Sequence, residues 1–291
     1  LEQSIILGRQ GPATDVVDKS RAIVMEVQTL IALGDYHMFR GERAEAWRCY
    51  DEALRLCRTR GNVLGEGQSY IAIGVLRESE GSLEQALRYH EEALRVFRQV
   101  NEPDTISETL GILCSVHTYL GDYERALEHG RLALQLRQQN GLVNLLLYHR
   151  LALAAFHHND VAQALQLLAE VMEETAMSPH TYQFRLLAGE CYTRLGRWEE
   201  ATEALQLALA LAQKGNNPLA VTSVRRAQAD LALAQGNTAV ALTYAEALLP
   251  LLTGAPLPAA SEPLRLYWTC YRPLQANNDP RAAGVLAATH G

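Results

Sequence analysis

The sequence predicts an all-α chain built from repeated helix–turn–helix units, on three observations. First, residues 64–139 hold one pattern written twice. Gly74, Gly81, Ala86 and Ala93 in the first copy are matched 40 residues later by Cys114, Gly121, Ala126 and Ala133. Second, a turn residue followed five positions on by Ala recurs along the chain. The turn residues are Gly41, Gly81, Gly121, Asn159, Gly196, Gly236 and Asn278, at spacings of 40, 40, 38, 37, 40 and 42. Third, the hydrophobic content of 48% is ample for a continuous core. Yet no apolar run reaches the ~20 residues that span a bilayer. A fixed period of this size marks stacked supersecondary units, each of which buries its apolar face only against its neighbours.

In chain order, residues 1–10 read as the end of a second helix whose first helix is missing, with Ser4–Arg9 aligning on Ala93–Arg98. Gly11-Pro12 closes it. A first full repeat covers about 15–60, with Asp15 as N-cap, a long helix to Arg40, a second helix over 43–60, and a stop at Gly61-Asn62. Repeats follow at 64–99 and 104–139, the latter opened by Pro103, which the first turn of a helix tolerates. In the repeat at 142–175, Asn159 replaces the turn Gly and Val171 the second Ala; Asn tolerates the left-handed conformation the turn requires. Repeats at 179–214 and 217–252 come next, with Leu248 in the second Ala position of the latter. The loop 253–263 carries three prolines, and an incomplete repeat occupies 262–291 with Pro273 inside its first helix, where a kink is expected. Both ends are expected to cut through a repeat, so the chain reads as a single solenoid domain taken from a longer array.

This pattern resembles the tetratricopeptide repeat. The spacing exceeds the 34 residues of the standard repeat, so helices or turns must be longer than usual. The resemblance implies a right-handed α-α superhelix of antiparallel helix pairs. Ala and Gly would lie where helices cross, and Leu54, Leu56, Leu94, Val96, Leu134, Leu136, Leu209 and Leu211 would fill the space to the next repeat. The recurring Tyr50, Tyr89, Tyr119, Tyr192, Trp47, Trp198 and Trp268 are expected to pack in the core.

The resemblance also implies a binding groove along the first helix of each pair, at positions thirteen, ten, six, three and two before each turn residue. Its candidate contact residues are Gln28, Asp35, Gln68, Glu78, Glu108, Tyr119, His149, His157, Glu190, Arg194, Arg226, Arg265, Trp268 and Arg272. Acidic groups come early (Asp35, Glu78, Glu108) and arginines late (Arg194, Arg226, Arg265, Arg272). Displaced signs of this kind orient an extended or dipolar partner. The plain alternative is a solvated groove. Ile31 and Asp35 stand where repeats that grip acidic chaperone tails carry Lys and Asn, so that clamp is not expected.

Net charge of −7 and a pI near 5.7 argue against a nucleic-acid surface, which requires basic groups to neutralise phosphates. The start LEQSIILGRQ shows no basic leader, and cytoplasmic residence is expected. The five cysteines sit singly with no C-x-x-C, and reduced, buried thiols are expected. No enzyme, cofactor or metal is expected. His90-Glu91 opens like a zinc-protease motif, but Leu94 stands where the second His belongs. The adjacent His157 and His158 point to different helix faces.

Residues 264–283 resemble something narrower: the C-terminal repeats of bacterial signalling proteins that place a signal-transduction ATPase between an output domain and a helical array. That resemblance implies a sensor or scaffold arm which binds a protein, a peptide or a small inducer. Its intramolecular partners, the ATPase and output domains, would lie outside this chain. No nucleic acid or membrane partner is expected. A stand-alone adaptor and a quorum-peptide receptor are the alternative readings.

Overall fold

A computed structural model describes residues 16–139, 144–172, 181–252 and 263–287. Among them are fourteen α-helices and no strand. In order these are α1 (Val16–Phe39), α2 (Arg43–Arg60), α3 (Val63–Ser79), α4 (Leu83–Val100), α5 (Pro103–Leu120), α6 (Tyr123–Gln139), α7 (Leu145–His157), α8 (Val161–Met172), α9 (Thr181–Arg194), α10 (Trp198–Lys214), α11 (Pro218–Ala234), α12 (Thr238–Leu252), α13 (Pro263–Ala276) and α14 (Arg281–Ala287). The expected N-cap Asp15, the partial helix at 1–10 and the loop at 253–262 lie outside the described residues.

The long period resides in the helices. In the central repeats α3 and α6 have 17 residues and α4 and α5 have 18, while only two or three residues separate consecutive helices. The turns adopt the left-handed conformation that their residues permit. Gly41, Gly81, Gly121, Gly196 and Gly236 have φ of 77°, 76°, 80°, 69° and 77°, and Asn159 and Asn278 have 67° and 54°. Asn is one of the few side-chain-bearing residues that visits this region readily. Pro103 occupies the first turn of α5, where its missing N–H has no intrahelical partner to lose. Asn62 and Asn217 cap the helices that follow them, accepting from the N–H of Gly65 and Ala220 at 3.0 and 3.1 Å.

The chain divides into two compact units, Leu1–Leu147 and Tyr148–Gly291. In the first, α1 packs on α2 and α3, and the pairing continues from α3 through α6. Its core joins Tyr50, Leu54, Ile73, Leu76, Ala93 and Phe97, with a second cluster at Leu94, Leu110, Leu113 and Ala133. The repeat alanines Ala46, Ala86, Ala93, Ala126 and Ala133 are wholly buried, so neighbouring backbones approach closely at these positions. In the second unit α9 packs on α8, α10 and α11, α11 on α10, α12 and α13, and α13 on α12 and α14. Ala201, Leu205, Ala227 and Leu231 form one core cluster, and Leu248, Leu266, Cys270 and Leu274 another.

Not every recurring aromatic enters the core. Tyr50 is wholly buried, but Tyr119 and Trp268 are each 55% exposed and Trp198 is 38% exposed. Tyr119 and Trp268 stand two and ten positions before their turn residues on first helices, and Trp198 stands two after its own on a second helix, so they occupy different faces. Cys57, Cys114, Cys191 and Cys270 are buried and Cys49 is half-buried, and none of the five forms a disulfide among the described residues. Burial pushes the Cys191 and Cys270 thiols up to about 12.

Candidate functional site

In the second unit α9, α11 and α13 lie side by side, because each first helix of a pair contacts the first helix of the next. α7, from Tyr148 onward, adds His149, Leu153 and Phe156 to the same face. Two adjoining cavities open there. One, of about 210 Å³, is bordered by His149, Tyr182, Gln183, Glu190, Ser223 and Arg226. The other, of about 390 Å³, is bordered by Phe156, Arg194, Asp230, Trp268 and Arg272. Glu190 and Arg265 border both.

The charged groups form a ladder across three repeats. The Glu190 Oε1 accepts from Arg226 Nη2 at 2.8 Å and from Arg265 Nη2 at 3.0 Å. Asp230 continues it, accepting from Arg272 Nη1 at 3.2 Å and lying 3.7 Å from Arg226 Nη1. Burial opposes ionisation of Glu190, yet the attraction of Arg226 and Arg265 outweighs it and holds the carboxyl below its ordinary value. For Asp230 the balance falls the other way. Burial raises its carboxyl despite Arg226 and Arg272, and the neighbouring Glu190 adds to the rise.

Arg226 is the buried member, only 8% exposed, and its Nη1 has no hydrogen-bond acceptor among the described residues. Arg265, Arg272 and Trp268 are accessible from the groove. Trp268 stacks on Tyr271 with 5.5 Å between ring centroids. Arg194 lies with its guanidinium carbon 3.7 Å from the Phe156 ring centroid and donates to the Phe156 carbonyl at 2.7 Å. His149 is half-buried against Phe184; burial, aided by Arg150, lowers its imidazole to about 4, so it is neutral at pH 7.

Of the sequence candidates, His149, Glu190, Arg194, Arg226, Arg265, Trp268 and Arg272 are gathered around these two cavities. His157 sits at the end of α7 with its ring edge-on to Phe156. Gln28, Asp35, Gln68, Glu78, Glu108 and Tyr119 belong to the first unit. There Asp35 accepts from the Tyr50 hydroxyl at 2.6 Å, and Glu78 hydrogen-bonds the buried His90 ring at 2.7 Å. Both acids therefore support the helix crossing as well as facing outward. Gln28, Glu108 and Tyr119 are exposed. Asp230, Phe156, Tyr182 and Ser223 also border the cavities. Asp230, Phe156 and Ser223 occupy the groove register, whereas Tyr182 lies one position off it and the register alone misses it. Among the described residues no group of three or more His, Cys, Asp or Glu side chains is arranged to hold a metal ion. Nor is any described helix long and apolar enough to cross a membrane.

Tetratricopeptide repeat models match residues 26–99 and 155–221. The fold recurs in a tetratricopeptide repeat protein from Parabacteroides merdae, with a TM-score of 0.63 at 19% identity, covering 91% of this chain and 92% of that one. Aspartyl phosphate phosphatase F from Bacillus subtilis matches with a TM-score of 0.70 at 13% identity, over 94% of this chain and 73% of that one. A Rap protein complexed with Competence and Sporulation Factor matches with a TM-score of 0.69 at 16% identity, over 97% of this chain and 81% of that one. No curated protein matches the sequence.

Proposed function

We propose that this chain is a non-enzymatic binding module which holds a peptide segment in the groove of its second unit, a reading supported by the tetratricopeptide repeat models, a protein-interaction architecture, that match residues 26–99 and 155–221. The observation that carries this reading is the convergence of groove-register side chains from α7, α9, α11 and α13 on two adjoining cavities. The groove offers hydrogen-bonding groups in one cavity and charged and aromatic groups in the other. That combination suits an extended chain better than a compact metabolite, because it presents successive, differently tuned subsites along one line. The Rap protein's complex with Competence and Sporulation Factor supports the reading by analogy of fold. By the resemblance of residues 264–283, the module serves as the sensor or scaffold arm of a larger cytoplasmic bacterial signalling regulator.

Native mass spectrometry of the protein purified from its own host tests the binding. The expected result is a retained peptide that is lost in Trp268→Ala, while the fold persists by circular dichroism. A retained molecule of a few hundred daltons that is no peptide would replace the peptide with an inducer. An empty wild-type protein, with no peptide binding on titration, would overturn the reading.

A further inference from the structure

The whole chain carries a net charge of −7, yet the second unit's groove runs against it. Four arginines (Arg194, Arg226, Arg265 and Arg272) and two carboxylates (Glu190 and Asp230) border the two cavities, an excess of two positive charges. The excess is not spread evenly. Arg226 is buried on Glu190, and Arg272 reaches Asp230. Arg194 faces no carboxylate within ion-pair reach among the described residues; of its five N–H donors only one is engaged, on the Phe156 carbonyl. Arg265 donates to the same Glu190 oxygen as Arg226 among its contacts, and its side chain is 31% exposed and so reachable from the cavity. Arg194 and Arg265 border the same 390 Å³ cavity, whose floor is made of the small residues Ala227, Ala234 and Thr269. The exposed Trp268 ring stands at its side.

From this geometry we propose that the larger cavity is a subsite for an acidic side chain of the bound peptide, set next to a bulky apolar or aromatic one. The acid pairs with Arg194 and takes over part of the Arg265 bonding that Glu190 now holds. Glu190 remains on Arg226. The neighbouring apolar side chain lies on Trp268, over the small floor. The inference rests on the peptide reading given above and deepens it. Its physical basis is that the exposed Arg194 fork, with one donor engaged among the described residues, binds a carboxylate through short charge-assisted hydrogen bonds. A neutral amide of the same shape gains far less. The exchange at Glu190 is nearly isoelectric for Arg265, since one carboxylate replaces another. The adjoining cavity, with Tyr182, Gln183, Ser223 and a neutral His149, supplies hydrogen-bonding groups for the flanking peptide backbone.

A random octapeptide library passed over the immobilised full chain tests this. The expected enrichment is Asp or Glu adjacent to Phe, Tyr, Trp, Leu or Met. A synthetic representative is expected to bind about tenfold more tightly than its Asn or Gln counterpart. That contrast should fall to about threefold or less in Arg194→Gln and in Arg265→Gln. If either variant loses its helical signal the other decides, and the acid-versus-amide contrast on the unaltered chain stands by itself. Enrichment of neutral or basic peptides, or equal binding of acid and amide, overturns the subsite and leaves the groove reading standing. No enrichment at all overturns both.

Discussion

The Arg194 guanidinium carbon lies over the Phe156 ring, 3.7 Å from its centroid, and the group donates to the carbonyl of the same residue at 2.7 Å. One side chain of α9 thus grips both the ring and the backbone at the end of α7. A lysine keeps the charge but has neither the planar stack nor the fork. Arg194→Lys is expected to lower stability by about 0.5–2 kcal/mol, read from the urea midpoint. An unchanged midpoint would show that the stack is incidental.

The pair formed by Glu190 and Arg226 is expected to behave as a buried ion pair. Its side chains are 11% and 10% exposed. Arg226→Met leaves Glu190 with Arg265 alone, and a loss of about 3 kcal/mol is expected, at the lower end for such pairs. Adding Glu190→Gln to that variant should recover a large part of the loss, since the buried carboxylate is then gone and the Arg265 side chain, 31% exposed, is left to solvent. Simple additivity of the two substitutions in chemical denaturation would dispose of this account.

Gly74 and His90 form a tight crossing between α3 and α4. A Cβ at position 74 would fall within 2.7 Å of both imidazole nitrogens of the wholly buried His90. In an open helix Gly→Ala stabilises by roughly 1 kcal/mol. Here Gly74→Ala is expected to destabilise by about 1–3 kcal/mol through overpacking. In a His90→Ala background the same substitution should be neutral or favourable. A double-mutant cycle in thermal melts decides it.

Acid should weaken the second unit through His149. Its imidazole falls from an ordinary 6.5 to about 4 in the folded chain, chiefly by burial. The unfolded chain therefore binds a proton first. The contribution is intact above pH 6.5 and is lost as pH falls through 4. Because His149 is only half-buried, solvent screening keeps the effect below about 3 kcal/mol. Glu190, held below its ordinary value, adds a loss at lower pH still. Asp230, held above its own, contributes stability at low pH that disappears as pH rises. Melting temperatures across pH 4–7 should show a decline that His149→Gln flattens, the lower-pH loss remaining. Parallel curves for the two proteins would exclude His149 as the source.

Much of the groove was legible before any coordinates. An offset counted back from Gly196, Gly236 and Asn278 leads to Glu190, Arg226, Asp230, Arg265 and Arg272, and the structure brings these side chains together. The offset works because the turn fixes the phase of the helix before it. Their meaning was less legible. The late arginines read as a basic end to the groove, but Glu190 and Asp230 neutralise part of that charge, and Arg226 is buried in doing so. Trp268 and Tyr119 read both as core rings and as groove contacts, and their 55% exposure rules out the first of these.

The sequence by itself determined the local order: a helix pair about every 40 residues, turns at Gly or Asn with positive φ, and small residues where helices cross. These depend on interactions within a few residues, which periodicity and turn chemistry encode directly. Only the tertiary structure decided which charges meet. Glu190 reaches Arg226 across 36 residues and Arg265 across 75. Contacts of that range are set by how each repeat is rotated and stacked on the next, through the packing of whole helix faces, and no single repeat carries that information.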